Sequence, residues 1–200
     1  MIKNIVFDLG RVLIGFDPEN YLDSFGFDKE TVQTLEQMVF GAQWKKYDRG
    51  DHPDVFSLRD ALIRENPAFE KEIRMALHPE WVKIHIRKED SIAYLYELKS
   101  RGYRIYILSN LAKESYEYVR GFEFFREIDG GVFSYQERVI KPDEKIYRIL
   151  LDRYALKPEE TLFFDDVPEN IEAARRLGIH GIVFTDLSAA KTQAEQLLNP

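Results

Sequence analysis

The chain has 200 residues, of which 44% are hydrophobic and 32% charged, and its net charge is −7. The apolar content is too high for a disordered chain, and the length suits one domain or one domain with a modest insertion. The negative charge argues against a nucleic-acid partner, and the absence of cysteine excludes disulfides, thiolate nucleophiles and cysteine metal sites.

The N-terminal residues 2–7 predict a buried strand, because they are mostly apolar, rich in β-forming side chains, and end at Asp8. This apolar stretch is too short for a signal peptide. No run in the chain approaches the ~18 apolar residues that a membrane span needs. We therefore expect a cytoplasmic protein that has no membrane partner.

Residues 16–87 predict a helical insertion with no convincing strand. Four stretches have apolar residues at helical spacing, and three prolines separate parts of the segment. Asp28, followed by Thr31 and Leu35, is typical of a capped amphipathic helix. The predicted helical stretches are 20–25, 31–40, 55–64 and 69–85.

From residue 88 onward, helix and strand signals alternate along the chain. This alternation predicts an α/β fold with a mostly parallel sheet and right-handed helical crossovers. The predicted strands are 103–108, 131–134, 161–164 and 182–184, and the predicted helices are Glu89–Ser100, 113–120, 142–154, 168–177 and 188–198.

Polar residues stand where three predicted strands end: Asp8, the pair Ser109 and Asn110, and the pair Asp165 and Asp166. Parallel strands bring their carboxyl ends to one edge of a sheet, where ligands bind. Carboxylates crowded there raise one another's pKa unless a cation intervenes, and oxygen ligands without His or Cys suit Mg²⁺. Each residue alone could instead cap a following helix. The convergence of three strand ends favours a site.

Lys141 precedes Pro142 at the start of a predicted helix, and its sequence context permits two interpretations. One is a solvated surface lysine. The other is a cation at the helix start that faces a carboxylate and a phosphoryl oxygen. Pro142 restricts the backbone of Lys141 to extended conformations, which limits where the side chain can point.

Four segments, taken in order, resemble the four motifs of the haloacid dehalogenase-like hydrolase superfamily. They are FDLGRVL at 7–13, ILSN at 107–110, IKPD at 140–143 and FFDDVPENI at 163–171. The resemblance implies a Rossmann-like parallel-sheet core, residues 1–15 and 88–200, with a small helical cap, residues 16–87, inserted after the first strand. The short Asp-Leu-Gly opening is similar to a subgroup that includes bacterial sugar-phosphate phosphatases of the glucose-1-phosphate phosphatase type.

The resemblance implies a Mg²⁺-dependent phosphomonoester hydrolase that acts on a small phosphorylated metabolite, with a sugar phosphate expected first. Asp8 would be the nucleophile and form an aspartyl-phosphate. Lys141 would neutralise the phosphoryl group and orient Asp8, while Ser109 and the backbone of Asn110 would hydrogen-bond the phosphoryl oxygens. The implied metal ligands are Asp8, Asp166, the backbone carbonyl of Gly10 and, directly or through another ligand, Asp165.

Gly10 departs from the family's pattern, which usually has a second Asp at this position as general acid–base. Such proton transfer contributes roughly 10²–10⁴-fold, so another group or water must supply the proton. Two alternatives stay open: a metal-independent 2-haloacid dehalogenase, which the paired acids at 165 and 166 argue against, and a catalytically weak phosphate-binding relative. The candidate replacement acids are Asp17, Tyr47, Asp48 and Arg49.

A helical cap would exclude water and select substrates. Trp44, Lys45, Tyr47 and Arg49 are the aromatic and cationic residues expected to face a phosphorylated ligand, although Trp44 and Tyr47 could equally form the core of the cap. The four histidines lack zinc-ligand spacing, and we interpret them as structural or surface residues. We expect the chain to act as a monomer or a homodimer.

Overall fold

A computed structural model describes residues 1–198 and confirms the α/β fold with a Rossmann-like parallel sheet. The strands are β1 (Asn4–Phe7), β2 (Ile14–Gly15), β3 (Ile86–Arg87), β4 (Arg104–Ser109), β5 (Gly130–Phe133), β6 (Thr161–Asp165) and β7 (His180–Val183). The main sheet has the order β5-β4-β1-β6-β7, and every pair in it is parallel. β1 is therefore the central strand, paired with β4 on one side and β6 on the other.

The helices connect and cover these strands. They are α1 (Pro18–Asp23), α2 (Lys29–Val39), α3 (Ala42–Asp48), α4 (Val55–Glu65), α5 (Glu70–Ala76), α6 (Glu89–Ser100), α7 (Lys113–Val119), α8 (Ser134–Glu137), α9 (Glu144–Arg153), α10 (Pro168–Arg176) and α11 (Leu187–Leu198). Asp28 caps α2 as expected, because its carboxylate accepts the backbone N–H of Thr31. Gly178 follows α10 at φ +84°, a conformation that favours glycine at a helix end.

Alternate residues of the central strand supply two separate hydrophobic cores. Ile5 and Phe7 pack on one face of the sheet, in a cluster that includes buried residues of α6 and α11. Val6 packs on the opposite face, in a cluster with buried residues of α9 and α10. Because helices cover both faces, the three residues that follow Asn4 in this strand are all apolar instead of alternating with polar residues.

Three local details differ from the sequence-based expectation. The helix predicted over 69–85 is interrupted after Ala76, and a 3₁₀ turn follows at Trp81–Ile84, because Pro79 has no backbone N–H to continue a helix. Helix α9 begins at Glu144 instead of Pro142, since the Asp143 carboxylate accepts the N–H of Lys145 and caps the helix there. The pair β2–β3 was not predicted, because two-residue strands carry no periodic signal.

The inserted segment has its own hydrophobic cluster. Buried residues between Leu22 and Ile84 pack together, and among the buried members of this cluster only Ala112 comes from elsewhere in the described chain. The antiparallel pair β2–β3 lies where the chain leaves the sheet and returns to it. These contacts support the division into a cap and a core, whose boundaries stay a prediction. Across residues 1–198, no helix is long and apolar enough to cross a membrane.

Candidate active site

The polar residues at the strand ends lie at one edge of the sheet. Phe7, the last residue of β1, is in register with Ile107 of β4 and Phe164 of β6. The residues that follow are therefore brought side by side. Carboxylate oxygens of Asp8, Asp165 and Asp166 lie within 4.8 Å of one another, as the sequence analysis expected.

Lys141 is a buried cation at the centre of this acidic cluster. Its Nζ lies 3.0 Å from Asp8 Oδ1 and 2.6 Å from Asp165 Oδ2, and it donates a hydrogen bond of 2.9 Å to the carbonyl of Leu108. The side chain is only 1% exposed, which excludes a solvated surface lysine. Burial lowers the pKa of the ammonium group, but Asp165 and Asp8 outweigh burial, so the pKa lies above its usual value.

The Asp8 carboxylate is held in one orientation. It accepts the backbone N–H of Leu9 at 2.7 Å and a hydrogen bond from the Ser109 hydroxyl. Burial raises its pKa to about 6, while Lys141 acts in the opposite direction. The Ser109 hydroxyl therefore contacts Asp8, and its expected contact with a phosphoryl oxygen stays a prediction.

The adjacent acids Asp165 and Asp166 differ in their surroundings. Asp165 is fully buried, and its oxygens accept hydrogen bonds from Lys141, the side chain of Asn170 and the backbone N–H of Val167. Asp166 faces the cavity beside the sheet edge, 3.7 Å from the Arg11 guanidinium. Helix α10 has no side-chain cap, so the helix-cap alternative fails for both acids. Because Asp165 is buried against Lys141, it is suited to orienting the lysine. Because Asp166 faces the cavity, it is suited to binding a cation.

Asn110 connects two of the motifs through its side chain. Its Oδ1 accepts the backbone N–H of Lys141 at 2.8 Å, and its Nδ2 donates to the carbonyl of Lys141 at 3.1 Å. Asn110 does not cap α7, whose cap position is Ala112 with no side-chain bond. The pair of hydrogen bonds fixes the backbone from which the Lys141 ammonium group reaches the carboxylates.

Replacing Asn110 with Ala should therefore loosen Lys141. Loss of two partly buried hydrogen bonds should lower the free energy of unfolding by about 1–3 kcal/mol, measurable by urea denaturation. The matched control is Asn20→Ala, which removes an exposed side-chain amide from α1 and should leave stability within about 0.5 kcal/mol of wild type. Equal effects of the two variants would contradict the role assigned to Asn110.

A cavity of about 270 Å³ opens onto the acidic edge of the sheet. Asp8, Gly10 and Asp166 line it from the core, and the opposite wall comes from the inserted segment. That wall consists of Phe16, Phe40, Trp44, Asp48 and His85. The arrangement encloses the carboxylates beneath a wall that is largely aromatic.

Only some of the expected cap residues reach this cavity. Trp44 lines it and also packs in the hydrophobic cluster of the cap, so both interpretations of this residue hold. Tyr47 is buried core, with its hydroxyl hydrogen-bonded to Glu114. Lys45 and Arg49 are exposed and are not part of the lining.

Among the proposed replacement acids, Asp48 alone lines the cavity. Asp17 instead caps α1, because its carboxylate accepts the backbone N–H of Asn20. His85 also lines the cavity, although sequence reasoning placed it among the structural histidines. Its Nε2 lies 2.9 Å from the Ser115 hydroxyl, and burial lowers its pKa to about 4, so the ring is neutral at pH 7. The sequence around His85 has no metal-ligand spacing or other pattern that could have predicted this position.

The donor set at the acidic edge fits Mg²⁺. Asp8 and Asp166 offer carboxylate oxygens, and both residues line the cavity together with Gly10. Mg²⁺ prefers oxygen ligands, and a cation offsets the repulsion between crowded carboxylates. Burial and the neighbouring Asp165 both raise the pKa of Asp166, and a bound cation would offset both effects.

A parallel sheet that gathers carboxylates and a buried lysine beneath an inserted helical segment defines a class of α/β hydrolytic enzymes. The model of one family in this class, haloacid dehalogenase-like hydrolase, matches residues 2–178 of the chain. The protein belongs to this family and is a phosphatase-like hydrolase.

Known proteins similar to the chain include named phosphatases. Over nearly its full length it is 25% identical to the sesquiterpene phosphatase astK of Aspergillus oryzae, covering 98% of this chain and 96% of the relative. It is 29% identical to the D-ribitol-5-phosphate phosphatase of Bacteroides thetaiotaomicron, covering 89% of each. A haloacid dehalogenase (HAD) family enzyme from the same organism, solved as a magnesium complex, is 25% identical with a TM-score of 0.74, covering 95% of this chain and 98% of that one.

Proposed function

We propose that this protein is a Mg²⁺-dependent phosphomonoester hydrolase that acts through an aspartyl-phosphate on Asp8. The observation that carries the proposal is the buried contact of Lys141 with Asp8, which lines the cavity. A carboxylate kept beside an ammonium group stays ionised, as a nucleophile must, and the ammonium group also offsets the charge of an incoming phosphate.

The residues divide the work of phosphoryl transfer. Asp8 attacks phosphorus, and Lys141 holds it in position and neutralises the phosphoryl oxygens. Asp165 orients Lys141, and the backbone of Asn110 contributes hydrogen bonds to the phosphoryl group. When bound by Asp8, Asp166 and the Gly10 carbonyl, Mg²⁺ would supply further positive charge against the phosphate.

The size of the cavity points to a small metabolite, and a sugar phosphate is our first expectation. A volume of about 270 Å³ suits a small phosphorylated molecule. The relative from Bacteroides thetaiotaomicron is named for ribitol 5-phosphate, a small polyol phosphate. The rings of Phe40 and Trp44 have centroids 4.7 Å apart and form an apolar surface on which the carbon face of a sugar can pack.

The test is hydrolysis of p-nitrophenyl phosphate by the purified chain with and without Mg²⁺. We expect turnover with Mg²⁺ and loss of turnover when the ion is chelated. This substrate has a good leaving group, so the glycine at position 10 should not prevent the reaction.

Halide release from 2-chloropropionate is the matched assay for the alternative dehalogenase. Turnover of the haloacid without metal, together with no phosphatase activity, would overturn the proposal. Absence of both activities in folded protein would favour a phosphate-binding relative without catalysis.

A further inference from the structure

Cleavage of an alkyl phosphate leaves an alkoxide, which must be protonated as the bond to phosphorus breaks. Gly10 lines the cavity but has no side chain with which to do this. A Cβ placed at Gly10 meets no atom within 4 Å, so the space beside it is open. If the proposed function holds, the proton must come from another group on the cavity wall.

Asp48 is the cavity residue best suited to this task. Arg11 stays protonated in proteins, and the ring of His85 is neutral at pH 7 because burial lowers its pKa. Asp8 is assigned as the nucleophile, and Asp166 is assigned to bind the cation. The titratable groups that line the cavity are Asp8, Arg11, Asp48, His85 and Asp166.

Asp48 is fixed against the loop that follows β4, although it belongs to the inserted segment. It is the last residue of α3, and its backbone carbonyl accepts the Ser134 hydroxyl at 2.5 Å. The same hydroxyl accepts the backbone N–H of Leu111 at 2.8 Å. The neighbouring N–H of Ala112 hydrogen-bonds the Asp48 carboxyl. The side chain of Asp48 is thus anchored at Ala112, two residues after Asn110, and its main chain at Ser134, which also binds Leu111.

The electrostatic surroundings of Asp48 keep a proton on it. Burial raises the pKa of this carboxyl to about 8, and the nearby charge of Asp8 acts in the same direction. The Ala112 N–H and Lys141 lower the pKa, but by less. The raised pKa favours the carboxylic acid over the carboxylate, and the acid is the state that a proton donor needs; Asp48 also lines the cavity.

We propose that Asp48 is the general acid–base of this enzyme, in place of a side chain at position 10. As Asp8 forms its bond to phosphorus, the bond from phosphorus to the leaving oxygen breaks, and that oxygen takes its electron pair together with the proton of Asp48. Asp48 is left as a carboxylate. In the second step it takes a proton from water, whose oxygen attacks phosphorus; the bond from phosphorus to Asp8 breaks, phosphate leaves and the acid is restored.

The experiment compares leaving groups in Asp48→Asn, which keeps the size and the hydrogen-bond acceptor for Ala112. Hydrolysis of n-butyl phosphate, a poor leaving group, should fall at least about 100-fold in kcat/KM. The same constant for p-nitrophenyl phosphate should fall less than about 5-fold, because that phenolate needs little protonation. A role limited to folding would lower both by the same factor.

Two further variants support the test. Asp51→Asn makes the same chemical change three residues away on the surface, where Asp51 pairs with Arg49, and it should leave both rates unchanged. Adding Gly10→Asp to Asp48→Asn places a carboxyl in the open space beside Asp8 and should restore at least a tenth of the n-butyl phosphate activity.

The outcomes separate this inference from the proposed function. If wild-type protein hydrolyses neither ester, the proposed function fails. If wild-type protein hydrolyses p-nitrophenyl phosphate but not n-butyl phosphate, Asp48 is not the proton donor. The same conclusion follows if Asp48→Asn slows hydrolysis of the two esters equally, or slows the hydrolysis of neither ester. If His85→Gln alone shows the selective loss, the donor is His85 and the assignment to Asp48 is overturned.

Discussion

Asp8→Asn should abolish turnover of p-nitrophenyl phosphate, with a loss of at least about 10⁴-fold in kcat. An amide oxygen is a far weaker nucleophile than a carboxylate, and the neighbouring carboxylates are assigned to other tasks, Asp165 to orienting Lys141 and Asp166 to binding the cation. The fold should persist, because Lys141 keeps its contacts with Asp165 and the Leu108 carbonyl. Steady-state kinetics measure the loss of turnover, and the urea midpoint of the same preparation shows whether the fold persists.

The control for this variant is Asp23→Asn, an equivalent change at an exposed position of α1. It should behave as wild type in both assays. Acid-quenched wild-type protein should also gain the mass of one phosphoryl group during turnover, and Asp8→Asn should not. Retention of activity in a folded Asp8→Asn protein would remove the nucleophile assignment.

Lys141→Met should reduce both activity and stability. Methionine removes the charge and keeps the length, so the buried carboxylates of Asp8 and Asp165 lose their cation. Removing one partner of a buried ion pair costs about 3–5 kcal/mol, and loss of a charge that stabilises the phosphoryl group should lower kcat at least about 100-fold. Urea denaturation at pH 7 and p-nitrophenyl phosphate kinetics measure the two effects.

The stability lost in this variant should depend on pH in a defined direction. The folded pKa of Lys141 is raised, so its contribution is fully present at pH 7 and is lost only in strongly alkaline solution. The folded pKa of Asp8 is already raised to about 6 in wild type, and loss of the ammonium group should raise it further. The folded variant then takes up a proton on Asp8 at higher pH than folded wild type does and gains more stability on acidification. The deficit of Lys141→Met should therefore narrow as the pH falls from 7 to 5.

Lys145→Met is the matched control for Lys141→Met, since Lys145 is exposed at the start of α9. It should leave stability and kcat unchanged at both pH values. If the loss of stability in Lys141→Met is larger at pH 5 than at pH 7, the carboxylates left without a cation are not its cause.

Much of the sheet edge could be predicted from the sequence, because it depends on local patterns. Asp8 and Asp165 each end a buried apolar run, and parallel pairing then forces these ends together. The side chain of Lys141 was ambiguous. Its loop position alone did not show that Asn110, distant in sequence, binds the lysine backbone and turns its ammonium group inward.

The cavity wall was harder to predict, since it depends on contacts between distant segments. Trp44 and Tyr47 lie on one short helix, yet only Trp44 reaches the cavity. The sequence offered Asp48 as one of four candidates to replace the missing general acid. Its contacts with Ser134 and Ala112, which are distant in sequence, fix its position in the structure. His85 stands next to β3, a strand too short to be detected, so nothing in the sequence indicated that its ring faces the site.

The strand order also has a consequence for biosynthesis. β1 leaves the ribosome before its neighbours β4 and β6, which begin at Arg104 and Thr161. Until β4 and β6 have been translated, both hydrogen-bonding edges of β1 therefore lack their partners, which invites pairing with other chains. Emerging polypeptides of this protein should be substrates for chaperones that shield extended apolar segments until β6 has been translated.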